Sequence, residues 1–190
     1  MGIRSFLAFE LPLRIKEQVG EISKELQQSR LPVRWVKVEN IHLTVVFLGS
    51  VPKETMAAVK QKAGSIADKF SAFKIRLNRV GVFPNSRRPR VLWIGLDGEI
   101  GGLSDLRDQL QAQLEELGFK PENRPFRPHL TLGRFKGTLN RGEELKWILD
   151  RFRDINSDDE YLKELVLFKS DLRPAGPIYT KMAAWPLKMK

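Results

Sequence analysis

Ile41–Gly49, IHLTVVFLG, and Arg127–Phe135, RPHLTLGRF, decide how this chain folds. Each holds one of the two histidines in the sequence, His42 and His129, and each histidine opens the same pattern, His-Leu-Thr-apolar. Both stretches are rich in β-branched and aliphatic residues and lack a helical period, so they read as strands. Side chains in a strand alternate between faces. His42 and Thr44 therefore share one face, with Leu43 and Val45 behind them, and His129 and Thr131 repeat the arrangement over Leu130 and Leu132. Each strand anchors itself by its apolar face and presents one imidazole and one hydroxyl. The two motifs are 87 residues apart, so only tertiary structure can unite them.

Between and around these strands the pattern alternates irregularly. Ile3–Glu10 reads as a first strand. Beyond Pro12, Ile15, Val19, Ile22 and Leu26 form one helical face. Val33–Val36 is a short extended segment. A second helix is expected over Lys53–Phe70. Phe73, Ile75 and Leu77 then alternate with Lys74, Arg76 and Asn78, the signature of a half-buried strand. Gly81–Arg90 has the Pro, Asn and Ser chemistry of a loop or hairpin connection, and Val91–Leu96 is an apolar strand. Leu103–Leu117 reads as a third helix, with Gly118 just past its end. Asn140 has the character of the N-cap of a fourth helix, with Glu143 as capping-box partner. Asn156–Glu160 is an acidic turn, and Tyr161–Phe168 and Ile178–Trp185 are the last two strands. About eight strands and four helices in this order predict an α+β class: mostly antiparallel sheets with helices packed on one side.

The chain has 190 residues, 42% of them hydrophobic and 29% charged, enough for one packed domain or two closely joined lobes. Its formal net charge of +10 attracts polyanions such as RNA. With no cysteine, disulfides, zinc-thiolate centres and thiol nucleophiles are excluded. No apolar run approaches the ~20 residues of a membrane span. A cytoplasmic protein without membrane association is the expectation.

Two imidazoles facing each other across a groove make a general acid–base pair, because histidine changes charge near neutral pH. Such a pair suits phosphodiester cleavage. One histidine deprotonates the attacking group, the other protonates the departing oxygen, and the threonine hydroxyls donate to the non-bridging oxygens where charge gathers. No metal is required. A two-histidine metal site is the competing reading, but no carboxylate stands at ligand spacing beside either motif. Phosphate-loop, dinucleotide-binding and nucleophile-elbow signatures are absent.

The paired motifs resemble those of the 2H phosphoesterase superfamily. With the start FLAFEL, RWVKVENIHLTVVFLG, GVFPNSRRPRVLWIG and FRPHLTLGRF, the whole chain is similar to the RNA 2′,3′-cyclic phosphodiesterases of bacteria and archaea, also called the 2′-5′ RNA ligase family. The resemblance implies a bilobal fold spanning residues 1–190 as a single domain, with two mostly antiparallel sheets forming a V-shaped groove and helices on the outer faces. It implies metal-independent hydrolysis of RNA 2′,3′-cyclic phosphate ends to a 2′-phosphate, with no cofactor. His42 is the implied proton donor, His129 the implied proton acceptor, and Thr44 and Thr131 the implied phosphate-binding residues. The implied partner is RNA with cyclic phosphate ends, tRNA fragments among them, and the protein is expected to be a monomer. Ligation of tRNA halves through a 2′-5′ linkage, or RNA binding with incidental hydrolysis, are the alternatives.

Several residues beside the motifs are ambiguous by alternation alone. Arg134 matches the family's HLTLGR pattern and is a candidate substrate-binding residue. Simple alternation places it on the face opposite His129, and a bulge at Gly133 is needed to bring it into the groove. Phe47 falls opposite His42 and reads as packing. Trp93, inside an apolar strand, reads as core, whereas Trp35 and Phe83 are candidates for base stacking. Arg87, Arg88 and Arg90 are candidates for contacts to an RNA backbone.

Overall fold

The computed structural model describes residues 2–137, 141–174 and 176–189. In chain order the elements are β1 (Ile3–Glu10), α1 (Leu13–Gln27), β2 (Val33–Trp35), β3 (His42–Val51), α2 (Met56–Ala67), β4 (Phe73–Phe83), β5 (Val91–Gly98), α3 (Ile100–Glu115), β6 (His129–Phe135), α4 (Gly142–Arg151), β7 (Glu160–Leu162), β8 (Glu164–Arg173) and β9 (Gly176–Pro186). The α+β class holds. The strands run in the order β7-β4-β5-β6-β3-β1-β8-β9, with β2 paired to the end of β6 beyond its contact with β3. Every ladder between named strands is antiparallel.

Two half-sheets make up this order. One is β3-β1-β8-β9; the other is β7-β4-β5-β6 with β2. They meet at a single residue pair, Leu43 opposite Leu130, at the centre of the two motifs. The helices cover the face that carries these leucines. Ile15, Val19 and Leu26 of α1, Val59 and Ile66 of α2, Leu103, Leu106 and Leu110 of α3, and Leu145 and Ile148 of α4 join Leu43 and Leu130 in one buried cluster. The apolar period that predicts each helix is thus the stripe it buries. On the opposite face a small separate cluster, Phe6, Ala8, Val166 and Phe168, packs with Tyr179. That second face is the one the histidines look onto.

Several sequence expectations need correction. Gly81–Arg90 does make a hairpin connection, but its first three residues, Gly81–Phe83, are strand: β4 continues through them, paired with Val91–Trp93 of β5. The loop itself is 84–90, where the Asn85 side chain accepts from the amides of Arg87 and Arg88. The segment read as one strand from Tyr161 is two. Glu160–Leu162 pairs with β4 at one end of the sheet, and Glu164–Arg173 pairs with β1 and β9 in the other half. The second helix is shorter than the expected Lys53–Phe70, because a turn precedes it, with the Thr55 amide on the Pro52 carbonyl, and another follows it, with the Phe70 amide on the Ala67 carbonyl. Gly118 does close α3, with φ +86 and its amide on the Glu115 carbonyl. The expected cap at Asn140 lies outside the described residues.

Candidate active site

Because Leu43 lies opposite Leu130 in an antiparallel pair, the residues one step away on each strand emerge together on the opposite face. His42, Thr44, His129 and Thr131 therefore line one groove, all four partly exposed while Leu43 and Leu130 are fully buried. The pairing that joins the two half-sheets is the same pairing that brings the motifs together.

Each motif strand then carries a bulge at its fourth position. On β3, Ala8 pairs with Thr44 but Leu7 with Val46, leaving Val45 as the extra residue. On β6, Trp93 pairs with Thr131 but Leu92 with Gly133, leaving Leu132 extra. A bulge reverses the parity of the strand beyond it. Val45 and Val46 are consequently both buried, as are Leu132 and Gly133. Two placements change. Arg134 comes to the histidine face, exposed and paired with Val91, a position in phase with Trp93. Phe47, expected to pack on the far side, also comes to the histidine face. It pairs with Phe6, is 54% exposed, and has the Arg4 guanidinium 4.6 Å above its ring. Gly133 permits the second bulge: a Cβ there would lie 2.4 Å from Val33 Cγ1 and 2.9 Å from the Arg34 carbonyl oxygen.

The two imidazoles are held by the same device. His42 Nδ1 lies 2.8 Å from the carbonyl oxygen of Asn40, and His129 Nδ1 lies 2.7 Å from that of Arg127. A carbonyl only accepts, so each Nδ1 carries the proton. Each Nε2 is then a lone pair when the ring is neutral and a donor when it is charged. Burial is the largest influence on both rings, and it holds each below its ordinary pKa against the opposing pull of the carbonyl. The Arg134 charge pushes His129 in the same downward direction, and Glu122 pushes it up.

Their surroundings differ. His42 stacks on Phe6 with ring centres 4.7 Å apart, meets the edge of Tyr179 at 5.1 Å, and has Phe168 beyond. His129 meets Phe83 edge-on at 5.0 Å, with Trp93 behind at 6.4 Å. Trp93 is therefore a groove residue, not core. Its indole lies across Gly81 of the neighbouring strand, where a Cβ would fall 2.2 Å from the ring. Its Nε1 is buried without a hydrogen-bond partner among the described residues. Trp35 packs against the main core rather than the groove. Phe83 is in the groove, as its candidacy for stacking requires. Arg87 and Arg88 are exposed on the hairpin loop.

Sequence reasoning missed Phe6 and Tyr179. Alternation with Leu7 and Phe9 places Phe6 on the histidine face of β1, but only the β1–β3 register reveals what it touches. It also missed Arg107, a buried guanidinium that donates to the carbonyls of Glu122 and Arg124 and so fixes the irregular approach to His129. No group of three or more histidine, cysteine or carboxylate side chains is placed to hold a metal among the described residues. No helix among the described residues is long and apolar enough to cross a membrane.

Comparison with known proteins agrees with this geometry. The family described as LigT like Phosphoesterase matches residues 9–93 and again 94–179, once for each histidine motif. An RNA 2′,3′-cyclic phosphodiesterase of Methanothermobacter thermautotrophicus is 34% identical over 187 residues, covering 98% of this chain and 100% of its own. One from Methanocaldococcus jannaschii is 35% identical over 183 residues, covering 96% and 100%. Among solved structures, a Thermus thermophilus protein superposes with a TM-score of 0.83 at 27% identity, covering 99% of this chain and 100% of its own. LigT of E. coli complexed with 3′-AMP does so with a TM-score of 0.74 at 27% identity, covering 98% of each chain.

Proposed function

Since the chain belongs to the LigT-like phosphoesterase family, we propose that it hydrolyses the 2′,3′-cyclic phosphate at RNA ends to a 2′-phosphate through its two histidines. The observation that carries this reading is the matched pair of imidazoles. Both have Nδ1 tied to a backbone carbonyl, so both offer Nε2 to the same groove.

In the reaction, His129 Nε2 accepts a proton from water as its oxygen attacks phosphorus. The bond from phosphorus to the ribose 3′ oxygen breaks, and the protonated His42 Nε2 gives its proton to that oxygen. Thr44 and Thr131 donate hydrogen bonds to the non-bridging oxygens, and Arg134 binds the phosphate charge. The division of roles follows the charges. Arg134 favours the neutral form of His129, which a base requires. Bound phosphate, an anion between the two rings, favours the protonated form of both, and His129 has Arg134 to offset it whereas His42 does not. Each role is carried by side chains, and neither needs a metal. The substrate is RNA with a cyclic phosphate end, tRNA fragments included. The same proposal takes residues 1–190 as one bilobal domain acting as a cytoplasmic monomer.

The test is product analysis on a short RNA ending in a 2′,3′-cyclic phosphate, with EDTA present, for wild type, His42→Ala and His129→Ala. The expected result is a 2′-phosphate, identified by phosphorus NMR, from wild type alone. Turnover by both folded variants, or loss of wild-type activity to EDTA with recovery on adding a divalent metal, would refute the mechanism.

A further inference from the structure

Many exposed cations of this chain have an acidic neighbour: Lys74 has Asp159, Arg76 has Asp97, and Arg151 has Glu25. Four that line one basin do not. Arg34, Arg90, Arg134 and Lys136, with Pro89 and Phe135, surround an open depression of about 480 Å³ at the C-terminal end of β6. None of the four forms an ion pair among the described residues.

The crowding is built into the backbone. Arg34 of β2 lies directly opposite Arg134 of β6, a like-charge pair that an antiparallel ladder disfavours. The Phe135 amide donates to the Arg90 carbonyl at 3.0 Å, and the Lys136 amide donates to the Pro32 carbonyl at 2.7 Å. Three separate segments are thereby held with their charges toward one space. An assembled set of unmatched cations is stabilised by an anion that bridges them.

The basin is also continuous with the groove. Arg134 lines the basin, and its charge is felt by both His129 and Tyr179 across the groove. A cyclic mononucleotide has one phosphate, and the histidines take it. Only a longer chain brings a second negative charge, because RNA carries one per nucleotide.

We infer that the basin seats the phosphodiester immediately upstream of the cyclic end, and that Arg34, Arg90 and Lys136 make the enzyme prefer polynucleotides to cyclic mononucleotides. This rests on the hydrolytic reading above. The contacts are to backbone, so the preference is independent of base sequence and weakens with salt.

The test compares wild type with the triple variant Arg34→Gln, Arg90→Gln, Lys136→Gln. Hydrolysis is measured on a short oligoribonucleotide with a 2′,3′-cyclic end and on the matching cyclic mononucleotide. Binding of a 5′-fluorescein oligoribonucleotide bearing a terminal 2′-phosphate is followed by anisotropy across a salt series. The variant is expected to lose about tenfold to hundredfold in kcat/KM on the oligonucleotide. Its rate on the mononucleotide stays within about threefold, and the slope of log affinity against log salt becomes shallower by about 0.7 to 1, the share of one phosphate. A variant that keeps both the oligonucleotide preference and the salt slope overturns the inference while hydrolysis stands. A wild type that hydrolyses neither substrate, yet binds the oligonucleotide through these three residues, upholds the basin and overturns the hydrolytic reading instead.

Discussion

Replacing Gly81 with alanine should destabilise the protein, and removing the Trp93 indole should turn that loss into a gain. The added Cβ would fall 2.2, 2.3 and 2.8 Å from three atoms of the indole, so the nearest must retreat by about 1.2 Å to reach ordinary contact at 3.4 Å. A rigid ring cannot yield at one atom. Phe83 packs on it with ring centres 4.9 Å apart, which limits its retreat. Overpacking of this kind costs about 1–3 kcal/mol. For a chain of this length that lowers Tm by about 2–12 °C. Gly81 has no positive φ, so its backbone suits alanine. With Trp93→Ala beside it, only the loss of unfolded-state freedom remains, and Gly81→Ala should stabilise by about 0.4–1 kcal/mol. Urea denaturation of wild type, both single variants and the double variant measures the coupling. If Gly81→Ala costs the same with and without the indole, the placement of Trp93 across Gly81 is wrong.

Three further outcomes follow from the site. Arg134→Gln removes a charge that depresses His129, so the acid-side limb of the kcat/KM profile should move to higher pH while kcat/KM itself falls; Arg134→Lys should hold the limb in place. Both histidines have folded-state pKa values below the unfolded ~6.5, so the unfolded chain binds more protons and stability should decline as pH drops below about 6.5. His42→Gln should flatten that decline in chemical denaturation series, and an unchanged slope would contradict the burial of the ring. Phe47→Ala should leave stability within about 1 kcal/mol, since the ring is half exposed, yet weaken oligonucleotide binding by about 1–3 kcal/mol through lost stacking; titration calorimetry showing equal affinity would remove Phe47 from the substrate surface.

The part of the site set by local alternation was legible in the sequence. His42 and Thr44 face the groove for the same reason that Leu43 faces the core, and Ile15, Val19 and Leu26 of α1 and the leucines of α3 bury as their spacing requires. What alternation cannot see is where a strand gains a residue, because a bulge is a property of two strands in register. That is why alternation puts Phe47 on the wrong face, while Arg134 depends on a bulge that the pairing supplies one residue before Gly133. Gly81–Phe83 fails differently. Its Gly, followed by Pro84, Asn85 and Ser86, carries turn chemistry, but the glycine is there to admit an indole from the next strand. The aromatic surround of His42 comes from β1, β8 and β9, and no local signal links those rings to the motif.

The bulge after each His-Leu-Thr has a consequence for which product isomer forms. A rotation by half a turn about the Leu43–Leu130 pair exchanges His42 with His129, Thr44 with Thr131, Val45 with Leu132, and Phe47 with Arg134. The first three exchanges leave the chemistry unchanged; the last does not. A cyclic phosphate offers two ester oxygens, and a groove with true two-fold symmetry would cleave either. The bias toward one isomer therefore resides in what breaks the symmetry: an aromatic ring at one end, a guanidinium at the other, and unlike aromatic walls behind the two imidazoles. On the proposed mechanism the choice of isomer rests on the residues beside the two histidines rather than on the histidines themselves, with Arg134 serving both selection and turnover.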